Sequence, residues 1–178
     1  MKGSDGRSAT RLNVGCGTDY RKGYVNVDGN PSLRRVDVLM DVTLESLLGY
    51  FGRGSLDEVL CNDFLEHHFH HEAVALLHAF AALLKPGGRL SVRVPDAALI
   101  VQSDRPAEAK LRLLFGGQDE PCGVPEVDAA RITHPRYFCH LHGWTEARLV
   151  RDLSAAGFRV DSLQTVGTNL VASAVRLP

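Results

Sequence analysis

Arg11-Leu12-Asn13-Val14-Gly15-Cys16-Gly17 is the most informative stretch of this 178-residue chain. Strand-forming residues lead into Gly-x-Gly, where the missing Cβ atoms let a ligand come close to the backbone. A second apolar run, with Val25 and Val27, ends on a lone carboxylate, Asp28. In parallel α/β proteins a carboxylate after the second strand hydrogen-bonds a ribose diol. The pattern predicts a nucleoside-binding α/β domain.

Beyond this bend, strand-like and helix-like runs alternate. Strands are predicted over residues 12–14, 24–28, 36–40, 56–61 and 89–94, with a final pair over 158–163 and 169–175. A helix over residues 71–85 carries an apolar stripe of Val74, Leu77, Ala81 and Leu84 and is closed by Lys85-Pro86-Gly87-Gly88. Another starts at Thr145 as N-cap, runs through Leu149, Val150 and Leu153, and stops at Gly157. A third, over residues 97–115, is broken at Pro106. Such alternation predicts a parallel sheet. The last two strands lie only about five residues apart, too few for a parallel crossover, so they pair as an antiparallel hairpin. The expected fold is therefore a Rossmann-like, seven-stranded mixed sheet, parallel except for an antiparallel C-terminal strand, with helices on both faces. Only residues 16–23 separate the first two strands, so a single helical turn near 19–21 replaces a crossover helix.

Composition sets the outer limits. Apolar residues make up 44% and charged residues 23%, an ordinary globular balance. Twenty Lys and Arg against 21 Asp and Glu leave no basic excess to point to nucleic acid. Cys16, Cys61, Cys122 and Cys139 form no C-x-x-C pair, which fits a reducing cytosol better than a disulfide framework. Residues 1–10 read as a loose polar leader without a signal-like apolar run, and residues 11–178 as one domain. No stretch approaches the ~18 apolar residues of a membrane span. The expectation is a cytoplasmic protein with no membrane partner.

A dinucleotide fold would show G-x-G-x-x-G opening a helix. Here Tyr20 stands where the third glycine belongs, and no useful helix follows to hold a pyrophosphate. No P-loop occurs. Leu12-Asn13-Val14-Gly15-Cys16-Gly17, Asp28, Asp41, Leu65-Glu66-His67 and Leu84-Lys85-Pro86-Gly87-Gly88-Arg89-Leu90, in this order and spacing, resemble class I S-adenosylmethionine-dependent methyltransferases. Gly116-Gly117-Gln118 and the run from Trp144-Thr145 to Gly157-Phe158 are similar to small bacterial members of that family. The resemblance spans roughly residues 11–175.

That resemblance implies S-adenosylmethionine as cofactor and a small-molecule acceptor, glycan- or lipid-linked ones included. Gly15, Cys16 and Gly17 would lie under the methionine part. Asp28, with Gly29 beside it, would accept from the ribose hydroxyls. Asp41 and Val42 would flank the adenine, and Asn62 would border the cofactor on the acceptor side. The short first crossover leaves open whether the acceptor or a partner chain, as in a homodimer, completes the lid. A cofactor-binding but catalytically silent scaffold, and an NAD-dependent oxidoreductase, stand as alternatives.

Plainer readings exist beside these. Asp28-Gly29-Asn30-Pro31 is strong turn chemistry in its own right. Asp41 could cap a short helix starting at Val42. His67, at the mouth of the fourth strand, is the candidate general base, because an imidazole titrates near neutrality; a structural histidine on a backbone carbonyl is the plain alternative. Asp63, Asp96, His140 and His142 are its rivals. His67, His68, His70 and His71 crowd one turn, but neighbours in a turn point apart, so no metal site is expected. Pro121-Cys122 is read as loop, and residues 115–143 as the specificity loop.

Overall fold

In the computed structural model, which describes residues 10–118 and 121–178, the glycine bend follows β1, Arg11–Val14. Leu12, Asn13 and Val14 are all buried, as are Val25, Asn26 and Val27 of β2, Val25–Asp28. Successive strand residues face opposite sides, so unbroken burial means that both faces of these strands are covered. β3, Val38–Leu39, is a two-residue edge strand. β4, Leu56–Asn62, lies on the other side of β1, and β5, Leu84–Pro95, lies beyond it.

The C-terminal pair, β6 (Phe158–Val166) and β7 (Asn169–Arg176), turns through Gly167 and Thr168. Gly167 has φ +65°, a turn conformation that a side chain disfavours. β7 inserts between β5 and β6 and runs antiparallel to both, giving the order β3-β2-β1-β4-β5-β7-β6. The expected mixed sheet is thus present, with β7 as its single reversed strand. Chain order reverses beside β1: β2 and β3 extend one way, β4 and β5 the other. A crevice opens at such a switch point, outside the carboxyl ends of the strands.

Two connections differ from the sequence reading. No helical turn forms at residues 19–21. A side-chain network joins β1 to β2 instead. Asn13 Nδ2 donates to the Asp19 carbonyl (2.8 Å) and to Asn26 Oδ1 (3.0 Å). Asn26 in turn donates through its backbone N–H and Nδ2 to Asp37 Oδ2, both at 2.8 Å, and Tyr20 donates to Asp37 Oδ1. Burial pushes the Asp37 carboxyl up, but these donors outweigh it and hold the group below the usual carboxylate range. The ten residues between β1 and β2 form no crossover helix, and buried amides supply the rigidity instead.

The second difference is α1, Leu44–Phe51, between β3 and β4. Its N-cap is Thr43, not Asp41: Thr43 Oγ1 accepts from the Ser46 N–H (3.1 Å), and Ser46 Oγ accepts from the Thr43 N–H (2.9 Å). Serine replaces the Glu or Gln of the common capping box, which hides the signal in the sequence.

α2, His70–Leu83, buries Ala73, Leu76, Leu77, Phe80 and Leu83. This stripe is phased differently from the one read off the sequence, and the helix stops two residues earlier, because Lys85 precedes a proline and Leu84 already enters β5. The broken third helix is α3, Ala97–Gln102, and α4, Ala107–Phe115. The segment read as loop contains α5, Pro125–Thr133, and a 3-10 turn, Pro135–Phe138. α6, Glu146–Ala155, starts on Thr145, whose hydroxyl accepts from the Arg148 N–H. The core joins Leu12, Val14, Val27, Phe80, Trp144 and Phe158, all nearly inaccessible. Each such side chain contributes about 1.5–3 kcal/mol over an exposed one. Among the described residues no helix is long and apolar enough to cross a membrane.

Candidate functional site

Gly15 and Gly17 both have left-handed backbone, φ +62° and +50°, yet they are glycines for different reasons. A Cβ on Gly15 would sit 2.1 Å from Cδ2 of Phe64, so the ring fills the missing volume. A Cβ on Gly17 would meet nothing within 4 Å. Close approach of a ligand to bare backbone is therefore available at Gly17. Asp28 locks the bend to the end of β2: Oδ2 accepts from the Gly17 N–H and Oδ1 from the Asn30 N–H, each at 2.8 Å. Each carboxylate oxygen keeps a lone pair for a further donor.

A cavity of about 250 Å³ opens over this corner, at the switch point of the sheet. Gly15, Gly17, Asp28, Gly29, Asp41 and Val42 all line it, and His67 reaches it from beyond β4. Two residues expected there do not. Cys16 turns inward, 4% exposed, and burial pushes its thiol up to about 12. Asn62 ends β4 in register with Arg93 and is not part of the cavity wall. The opposite wall comes from the segment read as the specificity loop, through residues the sequence reading did not single out: Val127 of α5 and Arg136, Tyr137 and Phe138 of the 3-10 turn. The Tyr137 hydroxyl donates to the Gly29 carbonyl at 2.8 Å, stitching that turn across the cleft.

Past β4 the chain turns sharply. Asp63 has φ +50°, a rare conformation that Asp tolerates better than most residues, and its carboxylate pairs with Arg93 of β5. The 3-10 turn Leu65–His67 follows. Glu66 is 1% exposed, its Oε2 has no partner, and burial pushes its carboxyl up to about 8. His67 Nδ1–H donates to the Cys139 carbonyl (3.0 Å), which leaves Nε2 as the lone-pair nitrogen. Burial, helped by the neighbouring His140, lowers its pKa to about 4. The neutral titration expected of a general base is therefore absent, and His67 is an uncharged acceptor at pH 7. The crowded histidines do point apart: His68 bonds the Phe64 carbonyl and His70 bonds Asp152 at 2.8 Å. His140 arrives from the late segment, its ring 5.0 Å from that of His67.

No protein-family model matches this sequence, and no curated protein matches it. Solved structures do. The Burkholderia thailandensis 1,6-didemethyltoxoflavin-N1-methyltransferase, bound to 1,6-didemethyltoxoflavin and S-adenosylhomocysteine, matches 98% of this chain and 74% of its own, with TM-score 0.60 and 21% identity. An S-adenosylmethionine-dependent methyltransferase from Mesorhizobium loti matches 93% and 90%, with TM-score 0.61 and 15% identity. One from Methanosarcina mazei matches 94% and 92%, with TM-score 0.60 and 18% identity. The fold is that of the S-adenosylmethionine-dependent methyltransferases.

Within this methyltransferase fold the buried titratable groups set a pH dependence. Glu66 goes from an ordinary 4.5 to about 8 on folding, so between those values the folded state holds one more proton. Stability then falls with rising pH by about 1.4 kcal/mol per unit. His67 goes from 6.5 to about 4, so between those values the unfolded state holds more, and stability rises with pH. The slopes oppose below pH 6.5, where half-buried His68 and His140, both lowered by desolvation, add to the rise. Above pH 6.5 Glu66 acts without that opposition. Urea unfolding with chelator present is expected to show a declining midpoint from pH 6.5 to 8, and Glu66→Gln is expected to abolish the decline. A wild-type midpoint that stays level over that range refutes the buried, proton-holding carboxyl.

Proposed function

We propose that this chain transfers a methyl group from S-adenosylmethionine to a small-molecule acceptor, glycan- or lipid-linked acceptors included. The observation that carries the reading is Asp28, braced by the Gly17 and Asn30 amides with lone pairs left over, facing a cleft at the switch point. The residues present fit this cofactor better than a dinucleotide. No helix lies between β1 and β2, so the bend offers no helix N-terminus for a pyrophosphate. A phosphate-free nucleoside needs only a ribose acceptor, an adenine slot and open backbone. Asp28 with Gly29 serves the first, Asp41 and Val42 the second, and Gly17 the third.

The cofactor supplies an electrophilic methyl carbon on a sulfonium; the rest is positioning and exclusion of water. Val127 of α5 and Arg136 to Phe138 line the far side of the cleft and narrow its access to water. His67 presents its bare Nε2 to the acceptor side and accepts the hydrogen bond that orients a hydroxyl or amine. The Burkholderia neighbour holds 1,6-didemethyltoxoflavin together with S-adenosylhomocysteine, which supports a small-molecule acceptor for this chain. Free thiols at all four cysteines suit the cytosol.

Thermal unfolding with S-adenosylhomocysteine or NAD tests the reading. A ligand at ~100 times its Kd adds about 2.7 kcal/mol to apparent stability. S-adenosylhomocysteine is expected to raise Tm and NAD to leave it unchanged; the reverse pattern overturns the assignment. Formation of S-adenosylhomocysteine from S-adenosylmethionine over an acceptor panel then separates an enzyme from a silent cofactor-binding scaffold.

A further inference from the structure

Between the acceptor side of the cleft and the core lies a donor set of which the methyl-transfer reading uses only His67. A carboxylate oxygen of Glu66 and one ring nitrogen each of His67 and His140 all lie within 4.8 Å of one another. We propose that Glu66, His67 and His140 bind a divalent first-row transition-metal ion, such as Zn2+, at the acceptor end of the cleft. With a metal bound, the His67 Nε2 is a ligand and the open coordination position takes over the orienting of the acceptor.

Three observations converge. Glu66 is 99% removed from solvent and its Oε2 has no hydrogen-bond partner. A buried polar atom left unpaired costs about 1–3 kcal/mol, more when charged. A cation accounts for it where no protein donor does. Next, the imidazoles are placed for ligation. His67 Nδ1–H is tied to the Cys139 carbonyl, and the His140 ring stands edge-on to the His67 ring, 5.0 Å between centroids. His67 thus keeps Nε2 bare, the arrangement by which a backbone carbonyl orients a metal-bound histidine. Finally, the frame is fixed from both sides. The Leu141 N–H donates to the Glu66 carbonyl (2.7 Å) and the His140 N–H to the Phe115 carbonyl (3.1 Å), so the late segment is pinned onto the turn that carries the other two donors.

The donor types select the ion. Magnesium and calcium take shells of oxygen; two imidazoles and a carboxylate suit zinc, iron and their neighbours. Bonds of about 2.1 Å place tetrahedral donors about 3.4 Å apart. From a spread of up to 4.8 Å the three groups therefore need to draw together by up to about 1.4 Å, which side-chain torsions supply. Three protein ligands leave a coordination position open, and His67 lines the cavity, so that position faces the cleft. No metal spacing is visible in the sequence because the third donor lies 73 residues beyond His67, after α2, β5 and the helices α3 to α5.

The cation site stands on its own donors; only its closeness to an acceptor rests on the proposed function. The test uses the chelator-stripped full chain, titrated with Zn2+ by calorimetry and with Co2+ by visible absorption. One equivalent is expected to bind. Glu66→Gln and His140→Ala are each expected to weaken binding at least ~10-fold, while His71→Ala, on an exposed residue, leaves it unchanged. Without any substitution, Zn2+ is expected to shift the imidazole 15N resonances of two histidines, His67 and His140. No binding, binding indifferent to both substitutions, or shifts confined to other histidines overturns the proposal. S-adenosylhomocysteine binding is followed in parallel: zinc without nucleoside sinks only the methyl-transfer reading, and nucleoside without zinc sinks only the metal site.

Discussion

Gly15→Ala is expected to cost about 2–5 kcal/mol of folding stability, and Gly17→Ala only about 1–2. Both positions have left-handed backbone, where a Cβ costs roughly 1–2 kcal/mol. Gly15 bears a second penalty. Its added methyl would fall 2.1, 2.5 and 2.9 Å from three atoms of Phe64, so the ring must move, and overpacking of this kind costs about 1–3 kcal/mol. Urea unfolding of both variants isolates the clash as their difference. Phe64→Ala in the Gly15→Ala background is expected to recover most of that difference, because it removes the atoms in collision. Equal losses at the two glycines would show that Phe64 does not pack on the bend. The consequence reaches the site, since Phe64 lies between Asp63 and the turn that carries His67, and all three residues line the cleft.

Local chemistry accounts for what the sequence revealed. Thr145 as N-cap and Gly157 beyond α6 are signals carried by single residues, and both stand as read. The hairpin of β6 and β7 followed from linker length alone, and the Gly-x-Gly bend with Asp28 followed from strand periodicity. The features that escaped depend on partners distant in sequence. Asn13, Asn26 and Asp37 look like ordinary polar residues until they meet between β1 and β3, where they replace a helix. Gly15 reads as a ligand-approach glycine, but its missing Cβ is claimed by Phe64, 49 residues later. Tyr137 reaches the Gly29 carbonyl across 108 residues. His67 was read by its ordinary pKa, and burial with His140 alongside moves it away from neutrality. Periodicity and caps report short-range physics; the far wall of the cleft and the electrostatics of its floor are tertiary.

Asp28→Ala is expected to weaken S-adenosylhomocysteine binding by about 1.5–3 kcal/mol, the usual loss for a hydrogen bond to a charged group, or roughly 10- to 150-fold in Kd. Two effects are mixed in that number. The carboxylate would accept from the ribose hydroxyls, and it also holds the Gly17 and Asn30 amides, so its loss loosens the bend as well as the sugar. Asp28→Asn separates them in part: its carbonyl oxygen still accepts from one amide, but the charge is gone and its NH2 cannot accept. Most of the loss is therefore expected to persist in Asp28→Asn if the sugar contact dominates, and little of it if bracing dominates. A nucleoside analogue lacking both ribose hydroxyls completes the argument. It should bind the parent chain about as weakly as S-adenosylhomocysteine binds the Ala variant, and the Asp28→Ala penalty should nearly vanish for it, because the deleted partners are each other's. Calorimetry on the four combinations yields the coupling energy directly. A coupling near zero, with the penalty the same for both ligands, would leave Asp28 as a brace of the glycine bend and move ribose recognition elsewhere in the cleft.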